Sequence, residues 1–111
     1  MKKLEIISID KNSTLESAML LIKLNGLKTV CVLNKDKVVG ILDVEDIIDA
    51  LLKKKSFNLK VENIMNKSFK YLTSYNKNEL IKLFKKFNLT IVPIVNKRMQ
   101  LKKIVHIRDI L

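Results

Sequence analysis

Val38-Val39-Gly40-Ile41-Leu42-Asp43-Val44-Glu45-Asp46-Ile47-Ile48-Asp49-Ala50-Leu51-Leu52 is the stretch on which the fold turns. Its first five residues form an apolar run around Gly40 and read as a buried strand. The chain then turns at Asp43, a good N-cap, into a helix with Glu45 and Asp46 in its first turn. Negative charge is favoured there by the helix dipole. Val44, Ile47, Ile48 and Leu51 follow at i, i+3, i+4 and i+7, which predicts one apolar helical stripe. Asp46 is thus a carboxylate in the first turn of a helix just past a strand end. Backbone N–H groups point outward at such a place, so it suits phosphates and sugars.

The arrangement returns near the end of the chain. Lys103-Ile104-Val105-His106-Ile107-Arg108-Asp109-Ile110-Leu111 lies over Gly40 to Ile48, and Leu89 to Lys97 lies over Leu27 to Lys35. Asn34 and Asn96 are 62 positions apart, and Asp46 and Asp109 are 63 apart. The second copy therefore carries one extra residue between these points. A repeat of this length predicts two similar units that pack on each other.

At 111 residues the chain is long enough for one domain or two half-domains sharing a core. About half of it is apolar, with few aromatics, so the predicted core is Ile, Leu and Val. The single cysteine, Cys31, lies in an apolar run and reads as a small buried hydrophobe. Met1-Lys2-Lys3 precedes mixed residues rather than a signal sequence, and no run reaches membrane-span length. The expectation is a cytoplasmic protein with no membrane partner. Net charge is +11, but residues 1–52 carry seven Lys against eight Asp and Glu, whereas residues 53–111 carry fifteen Lys and Arg against three. A basic half invites polyanions. No stacking aromatics are interleaved with the basic residues, so the expectation is against nucleic acid, and lysine reads as filling solvated positions. One His and one Cys argue against a metal site.

In order, Leu4 to Ile9 reads as a short strand, Thr14 as an N-cap, and Leu15, Ala18, Met19 and Ile22 as a helical stripe stopped at Asn25-Gly26. Thr29 to Leu33 and Val38 to Leu42 read as a hairpin, followed by the helix from Asp43. The lysines at 53–55 open a linker. Phe69 to Thr73 alternates as a strand. Asn76 or Asn78 caps the next helix, with stripe Leu80, Leu83, Phe84 and Phe87 and a stop at Asn88. Ile91 to Val95 and Leu101 to Val105 predict a second hairpin, with Pro93 at an edge or a break in pairing. A break frees backbone groups that could read a ligand. The fold class is α/β (α+β), in two units of order β-α-β-β-α, residues 1–56 and 57–111. Only Ile110 and Leu111 follow Asp109, so the last helix reads as truncated and the chain as cut from a longer one.

These tandem units, with Gly40-Ile41-Leu42-Asp43-Val44-Glu45-Asp46 at the strand-to-helix junction and Pro93-Ile94-Val95 in the later strand, resemble a pair of cystathionine-β-synthase (CBS) domains, the Bateman module. The resemblance implies two three-stranded sheets related by a pseudo-twofold axis and flanked by helices, with two clefts between the units. It implies a non-catalytic regulatory module, with no required cofactor, that binds AMP, ADP, ATP or S-adenosylmethionine as a regulatory ligand. It also implies a homodimer. In the family an aspartate holds the ribose hydroxyls, a threonine or serine three residues earlier and an arginine approach the phosphates, and the Pro-Val strand frames the base. Carried over, the second unit keeps Asp109 and Arg108, with His106 at the threonine position and Lys103 at the glycine position; Pro93 and Ile94 frame the base. The first keeps Gly40 and Asp46, with Asp43 at the threonine position and Glu45 where arginine would help. Three carboxylates disfavour a phosphate, so the expected anionic site is the cleft of Arg108, Asp109 and Lys103. His106 lacks a Ser, Cys or acidic relay and reads as a helix cap. Ile64-Met65-Asn66-Lys67 and the segment from Leu101 to Leu111 further resemble CBS pairs fused ahead of bacterial sugar-nucleotidyltransferases, which makes such an enzyme the expected attached or partner protein. The other readings are a ligand-free dimerisation module and a basic polyanion binder.

Overall fold

Local chemistry sets most element boundaries in the computed structural model, which describes residues 7–110. Thr14 caps α1 (Leu15–Asn25) by accepting from Ser17 N–H, and Gly26 ends it at φ 63°. A left-handed residue costs glycine little, which is why Asn25-Gly26 stops the helix. Asp43 caps α2 (Val44–Leu52). Asn76, not Asn78, caps α3 (Lys77–Phe87) by accepting from Glu79 N–H, and Asn88 ends that helix at φ 51°.

The strands are β1 (Ser8–Asp10), β2 (Thr29–Asn34), β3 (Lys37–Asp43), β4 (Ile91–Val95) and β5 (Leu101–His106). β1 runs parallel to β2, with α1 as the crossover, and β2 and β3 form an antiparallel hairpin. Of the strand expected over Leu4 to Ile9, residues 4–6 lie outside the described residues. β4 and β5 form the second antiparallel hairpin. The register shifts between Val32 and Leu33 in one hairpin and between Ile94 and Val95 in the other, which are equivalent places in the repeat. The hairpin tips touch: Val38 N–H donates to Met99 C=O at 2.9 Å, and Leu101 N–H to Asp36 C=O at 2.8 Å.

Period-two alternation in the central strands builds the core on both faces. Val30 and Val32 point to α1 and α2, joining Leu15, Ile22, Leu42 and Ile47. Cys31 points the other way and meets Ile7, Leu27, Ile91 and Ile104 between the two sheets. Val92 and Ile94 face Leu80 and Phe84 of α3. A strand buried on both faces must be apolar at every position, which is why these segments read as unbroken runs. The linker returns along residues 11–16, where Leu59 and Phe57 carbonyls accept from Leu15 and Glu16 N–H. These are two of the N–H groups that every helix start leaves without internal partners.

Three expectations are corrected. The segment from Phe69 to Thr73 is not a strand: its one rung is a parallel bridge between Leu72 and Ile94, so among the described residues the second sheet has two strands rather than three. The reason is Pro93. In the first unit Cys31 N–H donates to Ile7 C=O at 2.7 Å. Pro93 stands at the matching place and has no N–H to give the carbonyl of Lys70. Its carbonyl still accepts from Leu72 N–H at 3.1 Å, and its pairing with Ile104 on the β5 side is kept. Proline thus stops the parallel ladder on one side without breaking the antiparallel one. Second, Ile48 is 46% exposed, whereas Ile47 and Ala50 are buried. At 3.6 residues per turn Ile48 lies about 160° around the helix from Ala50, outside the packed line. Third, Phe87 at the end of the α3 stripe is 38% exposed, because the helix stops there.

Candidate functional site

Gly40 lets the site form without touching it. A Cβ there would lie 2.7 Å from Met65 Cγ, so the bare backbone is what the Met65 side chain packs against where the lead-in of the second unit meets β3. Ile41 and Asn66 then exchange two backbone hydrogen bonds, at 3.0 and 2.8 Å. Residues 66–70 are thereby held beside the junction of β3 and α2.

At that junction Asp43 is locked. Its Oδ1 accepts from Glu45 N–H at 2.9 Å, and its Oδ2 accepts from the Thr29 hydroxyl at 3.0 Å. The Thr29 and Thr90 hydroxyl oxygens are 2.6 Å apart. Thr29 has one proton and gives it to Asp43, so Thr90 donates to Thr29. This relay ties the start of β4 to the end of β3 across the sheets. Asp46 Oδ2 accepts from Asp43 N–H at 3.1 Å, closing a capping box. Burial pushes the Asp46 carboxyl above its usual range, and the charges of Asp43 and Asp49 push the same way, against the pull of the Asp43 N–H.

Asp43 and Asp46 form one wall of a cavity of about 320 Å³. Thr29 and Thr90 also line it, with Asn66, Phe69 and Lys70 from the lead-in and Phe87 to Ile91 closing it. The Lys70 ammonium sits 4.4 Å from the centre of the Phe87 ring, a cation–π contact, and Lys86 stacks on the same ring at 5.3 Å. The lining thus combines carboxylate and hydroxyl oxygens, an apolar aromatic edge and, among the described residues, one cation.

The other expected residues lie elsewhere. Pro93 and Ile94 are buried within β4, which offers Ile91 to the cavity instead. Lys103 is exposed, with its ammonium 4.8 Å from the Tyr75 ring centre. Asp109 and His106 repeat the capping box of Asp46 and Asp43: Asp109 Oδ2 accepts from His106 N–H at 3.1 Å. His106 Nδ1 accepts from Arg108 N–H at 3.0 Å and from Arg108 Nε–H at 3.3 Å, so His106 is a cap, as the sequence indicates. By the sheet register Leu72 matches Ile9, so the counterparts of residues 66–70 are residues 3–7, of which 3–6 lie outside the described residues. Sequence reasoning missed Thr29, Thr90, Asn66, Phe69, Lys70 and Phe87 as lining. The available signal was Pro93, which denies Lys70 a place in the ladder and so frees this segment to face the cavity.

Among the described residues no group of three or more His, Cys, Asp or Glu is gathered to hold a metal ion. No described helix is long and apolar enough to cross a membrane.

The family model of the CBS domain matches residues 1–53. No curated protein matches the sequence. The CBS domains of a transcriptional regulator from Streptococcus pneumoniae superpose with a TM-score of 0.80 at 22% identity, over 94% of this chain and 84% of that one. A CBS domain protein of Pyrobaculum aerophilum, solved in complex with AMP, gives 0.79 at 18% identity, over 98% and 89%. The cytosolic domain of the Mg2+ channel MgtE, solved in complex with ATP, gives 0.75 at 22% identity, over 94% of this chain and 43% of that one. Residues 1–53 therefore match the CBS domain family, and the chain as a whole has the fold of CBS-domain proteins.

Proposed function

We propose that this chain is a non-catalytic regulatory module, made of units 1–56 and 57–111, that binds an adenosyl ligand between them and modulates an attached or partner enzyme in the cytoplasm. The observation that carries the reading is the cavity at the β3–α2 junction, where Asp46 has one oxygen committed to the Asp43 N–H and a second with capacity for ligand hydroxyls. One carboxylate oxygen can accept from both hydroxyls of a ribose in charge-assisted geometry. The AMP and ATP held by two proteins of the same fold support the ligand class. Asp109, with Arg108 and Lys103, is the equivalent anchor for a second, anionic nucleotide. The ligand acts by favouring one relative placement of the units, which the linked protein reads as a population shift. A sugar-nucleotidyltransferase is the first partner to test.

Thermal unfolding against adenosine, AMP, ADP, ATP and S-adenosylmethionine tests this. A ligand at ten times its dissociation constant stabilises by about 1.4 kcal/mol, a rise of roughly 5 °C at this size. A rise that is lost in Asp46→Asn or Asp109→Ala assigns the cleft; a flat panel refutes the reading.

A second reading has its own support. Leu20 and Leu24 on α1 and Ile48 and Leu52 on α2 are exposed at 53, 80, 46 and 76%. Such exposure suits a homodimer, and the module would then act through dimerisation alone. Sedimentation showing a dimer that no nucleotide perturbs would favour it.

A further inference from the structure

We infer that the cavity at Asp43 and Asp46 takes an adenosyl ligand without a phosphate: an uncharged nucleoside, or one carrying a cationic sulfonium at its 5′ end. This rests on the reading of the cavity as an adenosyl site.

The N–H groups at the start of α2 would be the natural phosphate ligands. They are already taken. Val44 N–H donates to Lys28 C=O at 2.8 Å, Glu45 N–H donates to Asp43 Oδ1, and Asp46 N–H is held by the Asp43 side chain in the capping box. The helix start therefore carries its own anions. Asp43 is unable to swing away, because Thr29 and Glu45 hold both of its oxygens. A cavity of 320 Å³ is about 8 Å across. That is about one Debye length at physiological ionic strength, so salt does not fully screen either carboxylate from an anion inside. Among the described residues Lys70 is the cation that lines the cavity, one positive charge against two negative, and its ammonium is occupied over Phe87. In the second unit His106 replaces Asp43 and Arg108 stands beside Asp109, so the like-charge wall belongs to the first unit alone. The hydroxyl pair of a ribose, by contrast, finds in Asp46 the acceptor it needs, and a sulfonium is drawn to the same wall.

The test follows amide shifts of Thr29, Ser68, Lys70 and Thr90 in the whole chain while adenosine, AMP, ATP and S-adenosylmethionine are titrated separately. Reading these amides keeps binding at any other place from counting. The expected order is adenosine and S-adenosylmethionine at least tenfold tighter than AMP, with ATP weaker still. In Asp43→Asn, where asparagine keeps the cap, the preference for adenosine over AMP falls about tenfold. AMP binding as tightly as adenosine to the unmodified chain overturns the inference and leaves the adenosyl reading standing. Shifts with none of the four probes overturn both.

Discussion

Asp46→Asn separates the structural work of this residue from its work toward a ligand. In the fold, Asp46 Oδ2 accepts from Asp43 N–H at 3.1 Å. An asparagine carbonyl can take that place, so the capping box survives. Loss of the charge forgoes its attraction to the helix N-terminus, typically 0.3–1 kcal/mol. It also relieves the burial and the repulsion from Asp43 and Asp49 that raise the Asp46 carboxyl. The two effects oppose, so stability should change by less than about 1 kcal/mol, or about 4 °C in midpoint. Toward a ligand the change is one-sided. The second oxygen becomes an NH2 group, which donates and cannot accept from a hydroxyl. A hydrogen bond to a charged group contributes about 1.5–3 kcal/mol, so losing two costs at least a hundredfold in affinity. Calorimetric titration with adenosine, beside a thermal melt, reads both numbers. Unchanged affinity in a folded variant would refute the assignment of Asp46. A midpoint lowered by 10 °C or more would show instead that the charge itself holds α2 in place. The wild type carries a pH signature the variant lacks. Because the folded carboxyl is raised above the ordinary value of about 3.9, the folded state holds the proton more tightly than the unfolded one. Between those two values stability falls as pH rises, and ligand affinity falls as pH drops.

Thr29→Val removes the donor to Asp43 and the acceptor of Thr90 from a position that is only 6% exposed; a loss of about 1–3 kcal/mol in urea unfolding is expected, and none would mean the relay carries no stability. Pro93→Ala restores an N–H opposite the Lys70 carbonyl, so hydrogen exchange should find the new amide protected; rapid exchange there would sink the account of why the second sheet lacks its third strand. Burial pushes the Cys31 thiol up to about 12, so a disulfide reagent at pH 8 should leave the native chain untouched and react once urea unfolds it. Prompt reaction of the native chain would contradict the packing of Cys31 between the sheets.

Legibility in the sequence divided along the range of the interactions involved. Thr14, Gly26, Asp43, Asn76 and Asn88 act within four residues of themselves, and each helix boundary they imply is found in the structure. The two hairpins follow from apolar runs broken by short polar turns, and the internal repeat carries the matched bulges and matched capping boxes of the two units. The capping role of His106 was legible for the same reason: its partners are two and three residues away.

What the sequence by itself determined is therefore the capped ends of the three helices, the two hairpins and the repeat of the capping box. What only the tertiary structure decided is which side of each element meets what. The repeat alone assigns Phe69 to Thr73 to a strand, but the segment pairs only where β4 offers a donor, and Pro93 withholds one on that side alone. Ile48 belongs to the apolar stripe by spacing, yet only the packing of α2 through Ile47 and Ala50 leaves it outside. Thr29 and Thr90 are 61 residues apart and read as unremarkable strand starts, until the stacking of the two sheets brings their hydroxyls to 2.6 Å and closes the wall of a cavity. Periodicity encodes the direction a side chain takes from its own backbone. The neighbour it meets is set by the packing of distant segments, and no local pattern carries that.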